Sequence, residues 1–265
     1  MPKAIDAHIH LDLYSESDAE RMLSSLPTMS VHGLIAVSMN LASSMKTQSL
    51  HRLYTDRVYP AYGFHPEQDV PSLEELDRLL DWIQRYHDDM IAIGEVGLPY
   101  YRRQEAENRG EAFDMRPYLD LLERFVQLSA TLEKPIVLHA VYEDAELACD
   151  LLKKYNVTRA HFHWFKGSGK TAGRMKREGY FISITPDVWY EKEIQELVAH
   201  YPLELMMVET DGPWPFEGPF AGHQTHPGMI HEVIRTIGRI RSIPYEQAAD
   251  IIYRNTRQFY RLDIK

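Results

Sequence analysis

Three observations predict an α/β fold, a (β/α)8 barrel. Eight short apolar or alternating runs recur along the chain, stretches of helical period lie between them, and metal-binding residue types cluster at the C-terminal ends of the runs. A doubly wound open sheet shares this alternation, and periodicity alone does not separate the two. The chain's 265 residues, 44% of them hydrophobic, suit one barrel. Neither a fixed-period repeat nor a linker divides them, so residues 1–265 read as a single domain.

The first run, Ala4-Ile5-Asp6-Ala7-His8-Ile9-His10, alternates apolar and polar side chains almost from the first residue. The others span 33–38, 58–64, 90–96, 136–141, 159–164, 180–185 and 205–209. Residues 72–87 place Leu73, Leu76, Leu79, Leu80 and Ile83 on one helical stripe. Residues 114–133 carry Leu119, Leu122, Phe125, Val126 and Leu128 on another. Pro135, behind Lys134, stops that helix because proline cannot continue a helix interior. Two stretches, 100–113 and 212–227, are rich in charge, Gly or Pro and read as irregular, each behind a run that carries a candidate ligand.

Composition narrows the function. A net charge of −10 and a pI near 5.7 argue against a broad basic surface for gripping duplex nucleic acid, though not against a local basic cleft. No cationic and then apolar leader opens the sequence, and no run approaches the roughly 20 apolar residues of a membrane span. The lone Cys149 has no intrachain partner, which favours a reducing compartment. The expectation is a cytoplasmic protein with no membrane association and no obligate protein partner.

His8 and His10 stand two apart on one strand and so point to the same face. Glu95 closes the fourth run, His139 the fifth and His163 the sixth, and Asp211 follows the eighth immediately. Imidazole and carboxylate ligands suit Zn, Mn, Fe, Co and, less well, Mg. Singly, each residue has a plain explanation. A lone His-x-His is a weak motif, a strand-end His is most often a hydrogen-bonded core residue, and a lone Glu is often salt-bridged. Jointly they point to metal, because burying so many polar groups at five strand ends without an ion or partners is costly.

Six pieces then carry a resemblance: Asp6-Ala7-His8-Ile9-His10-Leu11-Asp12, Gly63-Phe64-His65-Pro66-Glu67, Ile93-Gly94-Glu95-Val96-Gly97-Leu98, Pro135-Ile136-Val137-Leu138-His139, His163-Trp164-Phe165-Lys166-Gly167 and Val208-Glu209-Thr210-Asp211-Gly212-Pro213. A weaker echo is Asn255-Thr256-Arg257-Gln258-Phe259. In order, and over nearly the whole chain, these resemble the TatD family of metal-dependent deoxyribonucleases, part of the amidohydrolase-like barrel superfamily. The resemblance implies His8, His10 and Asp211 on one metal, Glu95 bridging to a second, and His139 and His163 holding that second ion. His65 would touch a substrate phosphate. Many relatives in the superfamily bridge with a carboxylated lysine, and no Lys stands in 91–99. His161 alternates with His163 on one strand; His163 aligns with the motif, which leaves His161 as a supporting neighbour. The sequence departs from the pattern at three places. Pro99 replaces Asp, Gly212 replaces Ala in Asp-Ala-Pro, and Thr225-His226-Pro227 replaces Asn-Glu-Pro beside the substrate pocket.

The activity implied is hydrolysis of phosphodiester bonds at DNA ends, single strands preferred, by water activated between two divalent ions (Zn, Mn, Mg, Fe or Co). Asp211 would be both ligand and general base. Lys166, Arg102 and Arg103 stand where they could neutralise developing charge, the plain alternative being solvated cations. Trp164, Trp189, Trp214 and Phe216 could stack on bases, or simply pack. Two rival readings stay open. One is a hydrolase of a small amide, ester or phosphodiester on the same metal pair; the other is a metal-binding protein without turnover, which a substituted ligand would favour.

Overall fold

The structure, a computed structural model, describes residues 1–264. Eight strands lie in one sheet: β1 (Ala4–Ile9), β2 (Val31–Val37), β3 (Val58–Tyr62), β4 (Ala92–Gly97), β5 (Ile136–His139), β6 (Ala160–Phe162), β7 (Phe181–Ile184) and β8 (Met206–Val208). They follow one another in sequence order with parallel pairing, so the order never reverses and the open doubly wound alternative is excluded. The helices are α1 (Glu16–Ser25), α2 (Leu41–Leu53), α3 (Leu73–Arg85), α4 (Tyr100–Asn108), α5 (Arg116–Leu132), α6 (Asp144–Lys154), α7 (Gly169–Glu178), α8 (Lys192–His200), α9 (Ile230–Arg241) and α10 (Tyr245–Tyr260). No helix among the described residues is long and apolar enough to cross a membrane.

Period-two alternation sorts the strand residues into two cores. Leu34, Ile93, Ile136, Leu138, Phe162, Ile182 and Val208 pack with the helices, while Ile5, Ile35, Ala61, Ala92, Val137 and Met207 form a second cluster with Phe259 and Tyr260 of α10. Further along the same strands the second set turns polar: Glu95, His139, His161, Ser183 and Glu209 are buried. One end of the barrel is thus apolar and plugged by α10, and the other is lined with titratable groups.

The seam between β8 and β1 is closed just past β8. Asp211 N donates to His8 O (3.0 Å), His10 N donates to Gly212 O (2.8 Å), and the buried Asp6 carboxylate accepts from Thr210 N (3.0 Å) and Thr210 Oγ1 (2.5 Å). These bonds hold Asp211 beside His8. Close strand approach also needs glycine at Gly97, where a Cβ would run into the His139 carbonyl oxygen.

Both expected helices form. Ser72 and Glu75 make a reciprocal capping box for α3, which buries Leu76, Leu79, Leu80 and Ile83. Leu73 does not join that stripe; as the first helical residue it points to solvent and is 75% exposed. The expectation for 100–113 is also corrected, since Tyr100–Asn108 is helical. The reason is tertiary: Glu67 accepts from the amides of Tyr101 and Arg102, capping α4 from a distant loop. The 212–227 stretch remains irregular apart from a short turn at Gly218–Phe220 and the start of another at Pro227.

Candidate metal centre

Five strands deliver the six candidate ligands to one end of the barrel. His8 lies in β1 and His10 just after it, His139 ends β5, and His163 follows β6 by one residue. Glu95 does not close its strand as expected but sits inside β4, where the pairing with β5 shifts register between Ile93 and Val96. A similar shift in β1 lies between Asp6 and Ile9. Such irregularities re-aim side chains next to functional sites. Asp211 stands in a left-handed backbone conformation (φ 48°), which an aspartate tolerates better than most residues.

The two oxygens of Glu95 face different partners. Oε2 lies 3.2 Å from His8 Nε2 and 3.1 Å from His10 Nε2. Asp211 Oδ1 approaches the same two nitrogens at 3.3 and 3.5 Å. Oε1 lies 2.7 Å from His163 Nε2 and 3.1 Å from His139 Nδ1, and those two nitrogens are 3.2 Å apart. The compact donor groups able to hold an ion are His8, His10 and Asp211; His8, Glu95 and His163; and His10, His65 and Glu95.

Six buried atoms of this cluster lack a hydrogen-bonding partner among the described residues: His8 Nδ1 and Nε2, His10 Nδ1, Glu95 Oε2, His163 Nδ1 and Asp211 Oδ1. Buried polar groups are rarely left so, and a set of imidazole nitrogens and carboxylate oxygens fits divalent cations. Electrostatics agree. Burial pushes the Glu95 carboxyl up, but His163, His65 and His8 outweigh it and hold it well below the usual carboxylate range. Burial and His163 disfavour the charged form of His8, yet Glu95 and Asp211 raise it to about 9. A site that draws protons onto buried imidazoles is a site that stabilises positive charge.

His65 differs. Its Nδ1 accepts the Glu67 amide (3.1 Å), so the neutral ring carries its proton on Nε2, 3.4 Å from Glu95 Oε1. Burial holds His65 below the ordinary histidine range and keeps it neutral. Its Nε2, which faces Glu95 Oε1, is therefore a donor. His161 is different again. Burial pushes it down to about 3, and its nitrogens meet Tyr260 Oη (2.7 Å) and Ser183 Oγ (2.5 Å). It supports the centre indirectly, because Ser183 in turn donates to Glu209 Oε2 (2.6 Å).

Two further carboxylates meet the cluster, although the quoted motifs that hold them give neither a role. Glu209 Oε1 accepts from Trp164 N (2.7 Å) and lies 3.7 Å from His163 Nδ1. Glu67 Oε1 lies 3.2 Å from His139 Nε2. Burial raises the Glu67 carboxyl, but bonds from His139 and the α4 amides leave it below the ordinary range. Their signal was weak because Glu at such positions has many ordinary uses.

Above the cluster opens a cleft of about 600 Å³, with His65, His139, His163 and Asp211 in its floor and Tyr101, Arg102, Trp164, Lys166 and Trp214 in its walls. Trp214 and Tyr101 are exposed, whereas Trp164 is fastened by an indole bond to Asp187 (2.6 Å) with Lys166 Nζ 5.3 Å from its ring centroid. Arg103 is not in this cleft; it pairs with Glu143 (2.7 Å) and Asp144 (2.8 Å). Trp189 also stands apart, under Arg239, and Phe216 is buried against Trp164. A second cleft of about 630 Å³, beside α2 and α3, holds none of the candidate ligands.

Residues 5–261 match the family model described as TatD related DNase. A Haemophilus influenzae protein described as an uncharacterized metal-dependent hydrolase is 40% identical over 97% of this chain and 99% of its own. Deoxyribonuclease TATDN3 of Homo sapiens is 28% identical over 97% of this chain and 94% of its own. Among solved structures, the TatD homolog YJJV of Escherichia coli K12 matches with a TM-score of 0.82 at 24% identity over 98% of each chain. A TatD family hydrolase of Entamoeba histolytica matches at 0.83 with 19% identity, again over 98% of each. These two structural likenesses show the barrel.

Proposed function

The chain belongs to the TatD family of metal-dependent hydrolases, and from that premise we propose that it hydrolyses phosphodiester bonds at DNA ends, preferring single strands, with two divalent ions per chain. The observation that carries the two-ion reading is the division of Glu95, one oxygen facing His8 and His10 and the other facing His139 and His163. His8, His10 and Asp211 would hold one ion, His139 and His163 the other, with Glu95 shared. Ions so held would supply an acidified water and neutralise charge on the phosphoryl oxygens.

The chain's own groups do the rest. The Asp211 carboxylate takes a proton from the attacking water, since Oδ1 has no hydrogen bond to give up. His65 Nε2–H donates to a phosphate oxygen, a role its tautomer suits and a ligand's role does not. Lys166, at the cleft wall and 3.6 Å from Asp187, adds positive charge. Trp214 and Tyr101 offer faces on which terminal bases stack, worth about 1–3 kcal/mol per base. The relative named a deoxyribonuclease supports DNA as the polymer.

Access favours ends. The cleft holds about 600 Å³ and the chain carries a net charge of −10, whereas nonspecific duplex affinity comes mostly from neutralised phosphates. Metal-loaded protein is expected to shorten end-labelled single strands from one end while covalently closed circles survive. Rapid cutting of closed circles would contradict the preference for ends. Turnover of small amides or esters alone would move the substrate elsewhere and leave the metal centre standing.

His65→Ala is expected to raise KM about tenfold or more, on the order of a lost charge-assisted hydrogen bond, with the ion count unchanged. Steady-state kinetics paired with metal analysis check it, and a fall in bound metal would place His65 among the ligands.

A further inference from the structure

Helix α4 has little apolar hold on the barrel, with Ala106 its one buried residue. Pro99 before it supplies no side-chain cap. Its opening amides are taken by Glu67, from the loop after β3: Oε1 accepts from Tyr101 N and Oε2 from Arg102 N, both at 2.9 Å. The same Oε1 lies 3.2 Å from His139 Nε2, and the other nitrogen of that ring, Nδ1, lies 3.1 Å from Glu95 Oε1. One carboxylate therefore touches both the first turn of a cleft-lining helix and the back of a candidate metal ligand.

We infer that Glu67 is a positioning residue that couples the docking of α4 to the ion held by Glu95, His139 and His163. The inference rests on the two-ion reading above. If Nδ1 of His139 ligates, it must present its lone pair, so the ring proton sits on Nε2 and needs an acceptor. Glu67 is that acceptor, fixing both tautomer and ring plane. In return, a held His139 fixes the carboxylate under α4, which carries Tyr101 and Arg102 into the cleft wall. One other contact of α4 reaches a candidate ligand, the Tyr101 ring standing edge-on to the His139 ring with 5.9 Å between centroids; the charged anchors do not. Arg102 pairs with the largely exposed Asp69, a contact of small worth, and Arg103 ties the middle of the helix to Glu143 and Asp144.

Glu67→Gln retains the size of the side chain but exchanges one acceptor for a donor, so it cannot serve both amides and His139. Two measurements test the coupling: titration of the full chain with Mn²⁺ by calorimetry, and hydrogen exchange at the Tyr101 and Arg102 amides with and without Mn²⁺. In E67Q, the affinity for one of two ions is expected to fall about 10–100-fold, the usual range for losing such a partner, with the other ion unaffected. Mn²⁺ is expected to slow exchange at the two amides in the wild type and to lose that effect in E67Q, since coupling is reciprocal. Unchanged ion affinity in E67Q, or exchange at these amides that ignores Mn²⁺ in the wild type, overturns the coupling. The wild-type arm decides the matter if E67Q fails to fold. A wild-type chain that binds no ion overturns the metal-centre reading and the coupling with it, a result distinct from intact two-ion binding that ignores Glu67.

Discussion

Asp211→Asn is expected to lower kcat by about 10²–10⁴-fold while leaving the fold and most of the metal affinity in place. The backbone of Asp211 is pinned by its own amide to His8 O (3.0 Å), so the substituted side chain stays in position. Asparagine also tolerates the left-handed conformation found there (φ 48°), so little strain is added. The amide oxygen can still approach His8 Nε2 and His10 Nε2, the neighbours of Asp211 Oδ1 at 3.3 and 3.5 Å. What it cannot do is accept a proton from water. Rates measured beside a thermal melt and a metal count separate these effects. Activity close to wild type would remove Asp211 from the chemistry.

Glu95→Gln is expected to cost more, because its two oxygens face both pairs of histidines. The substitution removes the charge that opposes burial at His8, His163 and His139. Turnover should fall at least as far as in Asp211→Asn, and no more than one ion should remain bound. Stability reports the same loss. An ion at a hundredfold excess over its Kd stabilises the folded chain by about 2.7 kcal/mol per site. For a domain of this size that raises Tm by roughly 5–10 °C. Melts with and without Zn²⁺ or Mn²⁺ should show the rise of two sites in the wild type and no more than that of one in Glu95→Gln. An equal rise in both would exclude Glu95 as the shared ligand.

Much of this architecture was legible because it is local. Alternation marked all eight strands, and the short pieces around His8, Glu95, His139, His163 and Asp211 placed the candidate ligands at one end of a barrel. What stayed hidden depends on distant partners. Helix α4 leaves no local signal because its cap, Glu67, lies 34 positions before Tyr101. Arg103 looked available for phosphate because nothing near it in sequence reveals its pairing with Glu143 and Asp144. The position of Glu95 inside β4 rather than at its end follows from a register shift that no propensity encodes. Trp164 and Trp214 could not be ranked as stacking residues until the bond from Trp164 to Asp187 showed which ring is fixed and which is free.

The most direct test of the metal centre is the number of divalent ions per chain, measured by elemental analysis on protein purified without chelator and then titrated with Zn²⁺, Mn²⁺ or Mg²⁺. Two equivalents are expected in the wild type, divided between the two faces of Glu95. No bound metal, and no uptake of any of the three ions, would contradict the account.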